Sequence, residues 1–255
     1  MKRYYSMMIM LAAALIAGCG FDTSKPDGSG TIECTEVRVA PEVAGRIVKL
    51  TVQEGDAVVK TQLLAQLDST DYELKRDEAR AAAILADQEL KRVQELVAKN
   101  SGTQKQLDNA SAAADQAHAR LAQTEKAVAD CVIKAPMDGT ITVKSTEEGE
   151  VVTPGATLLT LSRLDEVWLS IYVPETRLAA LKLGQSATVR IDGHKDAFTG
   201  AVTFISQVAE FSPKNVQTAE ERAKLVYRVK ITLKNPKGIF KPGMPADAWL
   251  TEGNK

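Results

Sequence analysis

The sequence predicts a mixed α+β fold: a β-sandwich built from two copies of a short repeat, an antiparallel α-helical coiled-coil hairpin inserted between the copies, and a second β-rich domain after them. Three observations predict it. Over the 255 residues, glycine and proline punctuate most of the chain, yet Gly102 is the one glycine between Gly55 and Gly139, and no proline occurs from Glu42 to Ala135. The stretches on either side of that gap resemble each other at an offset of 94 residues. Within the gap, apolar residues recur at alternating spacings of three and four, the mark of a helical seam.

The N-terminus is set apart from the fold. Lys2 and Arg3 precede an apolar run from Met7 to Ala17, too short for a spanning helix, which needs about 20 residues. The run ends in Ile16-Ala17-Gly18-Cys19, which resembles a bacterial lipoprotein signal, in which the cysteine is acylated and becomes the mature N-terminus. Residues 1–18 are therefore expected to be a signal peptide, Cys19 the lipidation site and 19–30 a flexible tether rich in Gly, Pro and Ser. Gly20 follows the cysteine, and the leaflet of the anchor stays open. The remaining cysteines, Cys34 and Cys131, face an oxidising compartment, where pairing is possible but two buried thiols are the expected state.

Residues 40–69 and 132–164 carry the repeat. From Gly45 and Gly139 onward the copies align without a gap, with Gly, Ile, Glu, Gly, Val, Leu and Leu recurring at 45/139, 47/141, 54/148, 55/149, 58/152, 64/158 and 67/161. Gly45, Gly55, Gly139 and Gly149 stand at expected turns between short strands. A unit this small cannot bury its own apolar face, so the copies are expected to pack together. The pattern is similar to the two halves of a biotinyl/lipoyl carrier domain. A carrier joins its halves by a hairpin bearing the modified lysine. Here Lys75 falls in a predicted helix and Lys134 in a strand, which disfavours a carrier subunit.

The insertion spans 70–131. Ser69 or Thr70 is expected to cap its first helix, with Asp71 and Glu73 near the positive end. One seam runs Ala79, Ala83, Ala86, Leu90, Val93, Val97. After a turn at Asn100, Ser101 and Gly102, a second runs Leu107, Ala110, Ala114, Ala117, Leu121, Thr124, Val128, Cys131. The opposite faces are polar, so the hairpin is expected to project into solvent.

The last part, 165–255 together with 31–39, alternates strands and turns. Val167–Val173 reads as a half-buried strand, Pro174 to Leu183 as a short helix ended by Gly184. Strands are expected at Ser186–Ile191, Phe198–Ser206 and Leu225–Lys234, with a last one after Lys241-Pro242-Gly243-Met244-Pro245.

The order of parts resembles the membrane fusion proteins, or periplasmic adaptors, of the HlyD family. The resemblance implies a β-barrel for 31–39 and 165–255 and a role bridging an inner-membrane exporter to a TolC-like outer-membrane duct. It also implies a non-enzymatic homo-oligomer, with six copies as the family's number. Family members that dock on such ducts carry Arg, Leu and Ser near the hairpin turn. Arg92, Leu96 and Thr103 fit that spacing, with Thr in place of Ser. The segment 209–218 with 225–229 is most like adaptors of ABC-type exporters; an RND or MFS pump is the alternative.

Composition agrees with a spacer more than with other classes. Lys+Arg 32 against Asp+Glu 33 argues against a nucleic-acid partner, and 5% aromatics against a stacking surface. The two histidines, His118 and His194, lie in unrelated segments with no metal-type spacing, so neither metal nor cofactor is expected. The adjacent Glu147 and Glu148 read as solvated turn residues, and no catalytic constellation emerges.

Overall fold

A computed structural model describes residues 25–194, 196–211 and 225–251. The predicted signal peptide, Cys19, the tether as far as residue 24 and most of 209–218 lie outside the described residues. The chain divides into two compact units. One contains 33–167 with 234–242; the other contains the remaining described residues.

In the first unit the repeat becomes a sandwich with an approximate twofold relation between its halves. Strands β2 (Gly45–Leu50), β3 (Ala57–Val58) and β4 (Leu63–Leu67) form one half. Strands β6 (Gly139–Lys144), β7 (Val151–Val152) and the start of β8 (Leu159–Pro174) repeat them. Neither half pairs with itself at the short strand. Gly45 opposes Val152 across β2–β7, and Gly139 opposes Val58 across β3–β6, so each copy completes the other's sheet. The apolar identities lie inward, with Ile47, Ile141, Leu64, Leu158, Leu67 and Leu161 all at most 1% exposed.

The hydrogen bonds repeat as well. The Gly55 N–H donates to the Ile141 carbonyl and the Gly149 N–H to the Ile47 carbonyl, both at 2.8 Å. Glu54 accepts from the Lys144 N–H and Glu148 from the Leu50 N–H, both at 2.7 Å. The repeated glutamate is thus a cross-strand acceptor in each copy. Glu148 is not simply solvated, and its neighbour Glu147 pairs with Lys144 at 2.7 Å. Short edge strand β5 (Val132–Lys134) pairs with β4 and completes the order β5-β4-β2-β7.

Between β4 and β5 the chain leaves as helix α1 (Thr70–Ala98) and returns as α2 (Gln104–Ala129). The 29 residues of α1 give a rod of about 43 Å. All predicted seam positions are buried or half-buried, while most of their neighbours are exposed. Alanine dominates the most buried positions: Ala79, Ala83, Ala110 and Ala114. Cross-helix pairs Asp87–His118, at 2.8 Å, and Arg80–Glu125, at 3.7 Å, fix the register between α1 and α2.

The helix start differs from expectation. Ser69 occupies the cap position but makes no capping bond. The Asp68 carboxylate instead accepts from the Thr70 N–H at 3.0 Å and the Thr70 hydroxyl at 2.7 Å, while the Ser69 hydroxyl donates to Glu73. One residue upstream, the Leu67 N–H donates to the Cys131 carbonyl at 2.8 Å, tying the two ends of the insertion together. Cys131 and Cys34 are both free thiols and buried, and burial pushes each thiol's pKa up.

The second unit is a barrel. Strands run in the order β12 (Leu225–Lys234), β10 (Phe198–Ile205), β9 (Ser186–Ile191), β13 (Pro245–Leu250), β1 (Gly28–Val39) and β8, and a further β12–β8 pairing closes it. Strand β11 (Glu210–Phe211) adds to β12 at the edge. Alternate residues such as Leu169, Ile171, Val173, Val189 and Ile231 are fully buried.

Five boundaries differ from the sequence reading. Residues 28–30 belong to β1, not to the tether, because Gly28, Ser29 and Gly30 pair with Ala248, Asp247 and Ala246. Gly30 is required there: a Cβ would stand 1.8 Å from the Ser170 carbonyl oxygen. The barrel's share of β1 ends near Ile32, so 33–39 group with the sandwich, and β8 continues past Leu164-Asp165 without a break. Residues 234–242 also group with the sandwich. Buried Asn235 holds this loop, donating to the Leu164 and Phe240 carbonyls and accepting from the Phe240 N–H. The predicted helix to Leu183 is only α3 (Glu175–Leu178), the following residues being turns.

The pseudo-symmetry sets an expectation for stability. Gly55 and Gly149 sit at φ +92° and +89°, and a Cβ on either would meet nothing within 4 Å, so each Gly→Ala change carries only the left-handed backbone penalty. Gly55→Ala and Gly149→Ala are expected to cost about 1–2 kcal/mol each, by matching amounts, in urea unfolding. Gly139→Ala is expected to cost more, since its Cβ would lie 2.7 Å from the Ser162 carbonyl oxygen, whereas Gly45→Ala meets nothing closer than 3.3 Å.

Candidate functional site

The distal end of the hairpin is built by two successive caps. Helix α1 closes with a Schellman arrangement: the Ser101 N–H donates to the Leu96 carbonyl at 2.8 Å and the Asn100 N–H to the Val97 carbonyl at 3.0 Å. Asn100 takes the left-handed conformation, with φ 54°. Asparagine tolerates it because its short polar side chain can hydrogen-bond locally. Gly102 serves the turn in another way. A Cβ on it would lie 2.9 Å from the Val97 Cγ2 atom, so the returning chain crosses the end of α1 only without a side chain.

Thr103 starts α2 through a capping box. The Gln106 N–H donates to Thr103 Oγ1 at 3.3 Å, and the Thr103 N–H donates to Gln106 Oε1 at 2.8 Å. The pattern Thr-x-x-Gln is legible in the sequence. It assigns the Thr103 hydroxyl a structural bond beside any external contact.

Arg92 and Leu96 lie one turn apart on α1. The Arg92 guanidinium forms a bidentate pair with Glu89, Nε to Oε2 at 2.9 Å and NH2 to Oε1 at 2.6 Å, with its side chain 65% exposed. Hydrogen bonding from Arg92 holds the Glu89 carboxyl below its ordinary range, and Glu89 raises the guanidinium's pKa. Leu96 is 38% exposed. The tip therefore presents an ordered guanidinium fork and a partly exposed leucine on α1, followed by a rigid turn into α2. Glu89 is the member that the spacing of Arg92, Leu96 and Thr103 did not indicate.

The same face of α1 carries more. Leu74 and Leu85 are 65% and 68% exposed, and with Leu96 they recur every 11 residues, a spacing that stays on one side of a helix. Arg92 lies in line with them. The outer face of α2 carries Ala112, Ala119 and Ala122, all exposed.

At the proximal end, the Tyr72 hydroxyl donates to the Ala44 carbonyl at 2.7 Å, and Lys126 bridges Glu42 and Asp130 at 2.6 and 2.7 Å. Asp130 foremost, then Glu42, raises the Lys126 pKa. A groove of about 380 Å³ beside these contacts is lined by Arg46, Asp68, Asp71 and Lys75, charges of both signs. Lys75 lies within α1 and Lys134 within β5. Among the described residues no group of His, Cys, Asp or Glu is arranged to hold a metal, and no helix is long and apolar enough to cross a membrane.

Comparison with known proteins agrees with this architecture. The domain family described as the barrel-sandwich hybrid domain of RND membrane fusion proteins matches residues 35–162, and a CusB-like β-barrel domain matches 166–254. A UPF0194 membrane protein of Acidithiobacillus ferridurans is 31% identical, with 85% of this chain and 84% of the relative covered. One from Citrobacter koseri is 29% identical, with 92% of each covered. A solved MacA-MexA chimera containing the Pseudomonas aeruginosa MexA α-hairpin is 25% identical, with a TM-score of 0.76 over 89% of this chain and 80% of the other.

Asp68 yields a pH expectation for the hairpin root. Bonds from the Thr70 hydroxyl and N–H hold its carboxyl below the ordinary aspartate range. Its contribution is present above the unfolded value and lost as pH falls through the depressed folded value. The melting-temperature deficit of Asp68→Ala is therefore expected to be full at neutral pH and to shrink below about pH 4, measured by circular dichroism.

Proposed function

The chain belongs to the RND-type membrane fusion protein family, and from that premise we propose that it is a periplasmic adaptor joining an inner-membrane exporter to a TolC-like outer-membrane duct for efflux or secretion of small molecules. The observation that carries the reading is the hairpin tip. Two stiff helices end in a doubly capped turn, with the Arg92 fork held open to solvent and Leu96 beside it. A charged fork plus an apolar contact on a rigid support is suited to binding another protein's end. Bringing together such partners is assembly and alignment, with no bond made or broken.

The finer assignments belong to the same proposal. Arg92, Leu96 and Thr103 are the duct contacts, and Cys19 is the acylated anchor, holding the chain to the inner membrane. An ABC-type exporter is the assignment that the resemblance at 209–218 and 225–229 supports. The second reading is an RND pump, which the matching sandwich domain family favours.

Self-association completes the proposal, because one hairpin cannot enclose a channel; six copies is the number implied by the resemblance. The exposed leucine ridge on α1 and the alanine face of α2 are complementary in size. The register set by Asp87–His118 places Leu85 level with Arg120, beside Ala119. Neighbours in a closed ring stand at equal height, so the Leu85 of one copy meets the Ala119 region of the next.

Two measurements test this. A photoreactive amino acid at position 92 or 103 in intact cells is expected to crosslink an outer-membrane protein, while one at Leu74, near the root, is not; no crosslink from either tip position rejects the docking role. The pair Leu85→Cys with Ala119→Cys is expected to give disulfide-linked ladders under mild oxidation, and neither single variant to do so. Failure of the ladder with crosslinking intact removes the ring contact alone.

A further inference from the structure

Along the order β12-β10-β9-β13-β1 the barrel strands pair antiparallel, so β1, β9 and β12 start at the rim where β10 and β13 finish, and Gly28 at the start of β1 packs against Ile171 near the end of β8. Four large apolar side chains are exposed at that rim. Leu183 precedes Gly184, whose N–H donates to the Val202 carbonyl, so it stands beside the end of β10. Phe204 is on β10 itself, Val208 follows it, and Leu225 opens β12. They are 67%, 42%, 71% and 39% exposed. Leu183 and Val208 lie on different connections, so it is strand pairing that gathers these exposed apolar side chains at one rim, and it is their grouping, not the exposure of any one, that marks the surface.

The chain enters the barrel at the same rim. Asp27 is fixed there: its N–H donates to the Ala248 carbonyl at 2.9 Å, its carboxylate accepts from the Leu250 N–H at 2.7 Å, and it pairs with Arg177 of α3. Nine residue steps separate Cys19 from Gly28, a maximum reach of about 30 Å. An anchor at Cys19 would therefore keep this rim, and no part of the barrel far from it, within reach of the bilayer surface. Charge does not oppose the approach. Arg177 is neutralised by Asp27 and Arg228 by Glu210, and the exposed Lys25 and Lys182 outnumber Glu175.

We propose that this rim is a membrane-contact surface, with Leu183 and Val208 inserting among the headgroups and outer acyl segments of the bilayer that holds the anchor. The inference rests on the lipid-anchor reading of Cys19. Single apolar side chains at the interface add to a covalent anchor's hold and restrict how the barrel tilts.

The test uses the full chain, expressed with its own N-terminus and reconstituted into phosphatidylethanolamine–phosphatidylglycerol vesicles. A bimane label is placed at Leu183→Cys, Val208→Cys or, as control, Val151→Cys in the sandwich, which is 67% exposed. Cys34 and Cys131 are buried and stay unlabelled in the folded protein. Lipids bearing nitroxides on their acyl chains are expected to quench emission at 183 and 208 and to leave emission at 151 unchanged. Mass spectrometry of the same sample reads acylation at Cys19. An acylated protein with no quenching at 183 and 208 overturns the rim contact and leaves the anchor standing. A protein without acyl chains overturns both.

Discussion

The structure depends on the exchange of strands between two half-domains that cannot stand alone. Each repeat supplies an apolar face of Ile, Val and Leu with nothing of its own to cover it. Pairing β2 with β7 and β3 with β6 buries both faces in one step. The reciprocal bonds Gly55–Ile141 and Gly149–Ile47 set the register, and a slip of one residue would turn every inward side chain outward. The end of β4 is joined to the start of β5 by the Leu67 N–H bond to the Cys131 carbonyl. The hairpin is thereby held at both ends by a closed core.

That arrangement explains how a long, solvent-exposed rod stays ordered. Two helices with alanine-rich seams bury little apolar area against each other, and most of their surface faces water. Their ends compensate. Leu67 and Cys131 clamp the root through the backbone, Tyr72 and Lys126 reach to the 40–44 loop, and the tip is sealed by the Schellman turn and the capping box. Rigidity at the tip gives Arg92 and Leu96 a fixed position, as the proposed docking role requires. In a flexible loop the same residues would have to be ordered at the moment of binding.

Two of the sequence's own signals pointed to the right places for different reasons. Gly102 marked the hairpin turn by its rarity, yet Asn100 adopts the left-handed backbone and Gly102 is required by the nearness of Val97. The helix start was marked by Ser69 and Thr70, but Asp68 makes the capping bonds, and Thr70 is the residue capped. In both cases local composition located the break, while competition among neighbouring polar groups decided which one serves. Glu89 stands three residues before Arg92, a helical spacing at which opposite charges meet, but only the structure shows both guanidinium bonds made to it.

Periodicity and repetition by themselves determined the class of fold, the helical insertion with its two seams, the turn at 100–102 and the inward set of the sandwich. These are properties of residues near one another in sequence, or of two segments that repeat. Only the tertiary structure decided the unit boundaries. The Leu164-Asp165 dipeptide reads as a junction, yet β8 passes through it, because ladder bonds on either side continue a strand regardless of the polarity of one position. Asn235 assigns 234–242 to the sandwich through three bonds to residues distant in sequence or around a turn. The barrel rim was likewise absent from any linear pattern. Leu183, Phe204, Val208 and Leu225 are isolated apolar residues in four places along the chain, and antiparallel pairing is what brings their strand ends to one side.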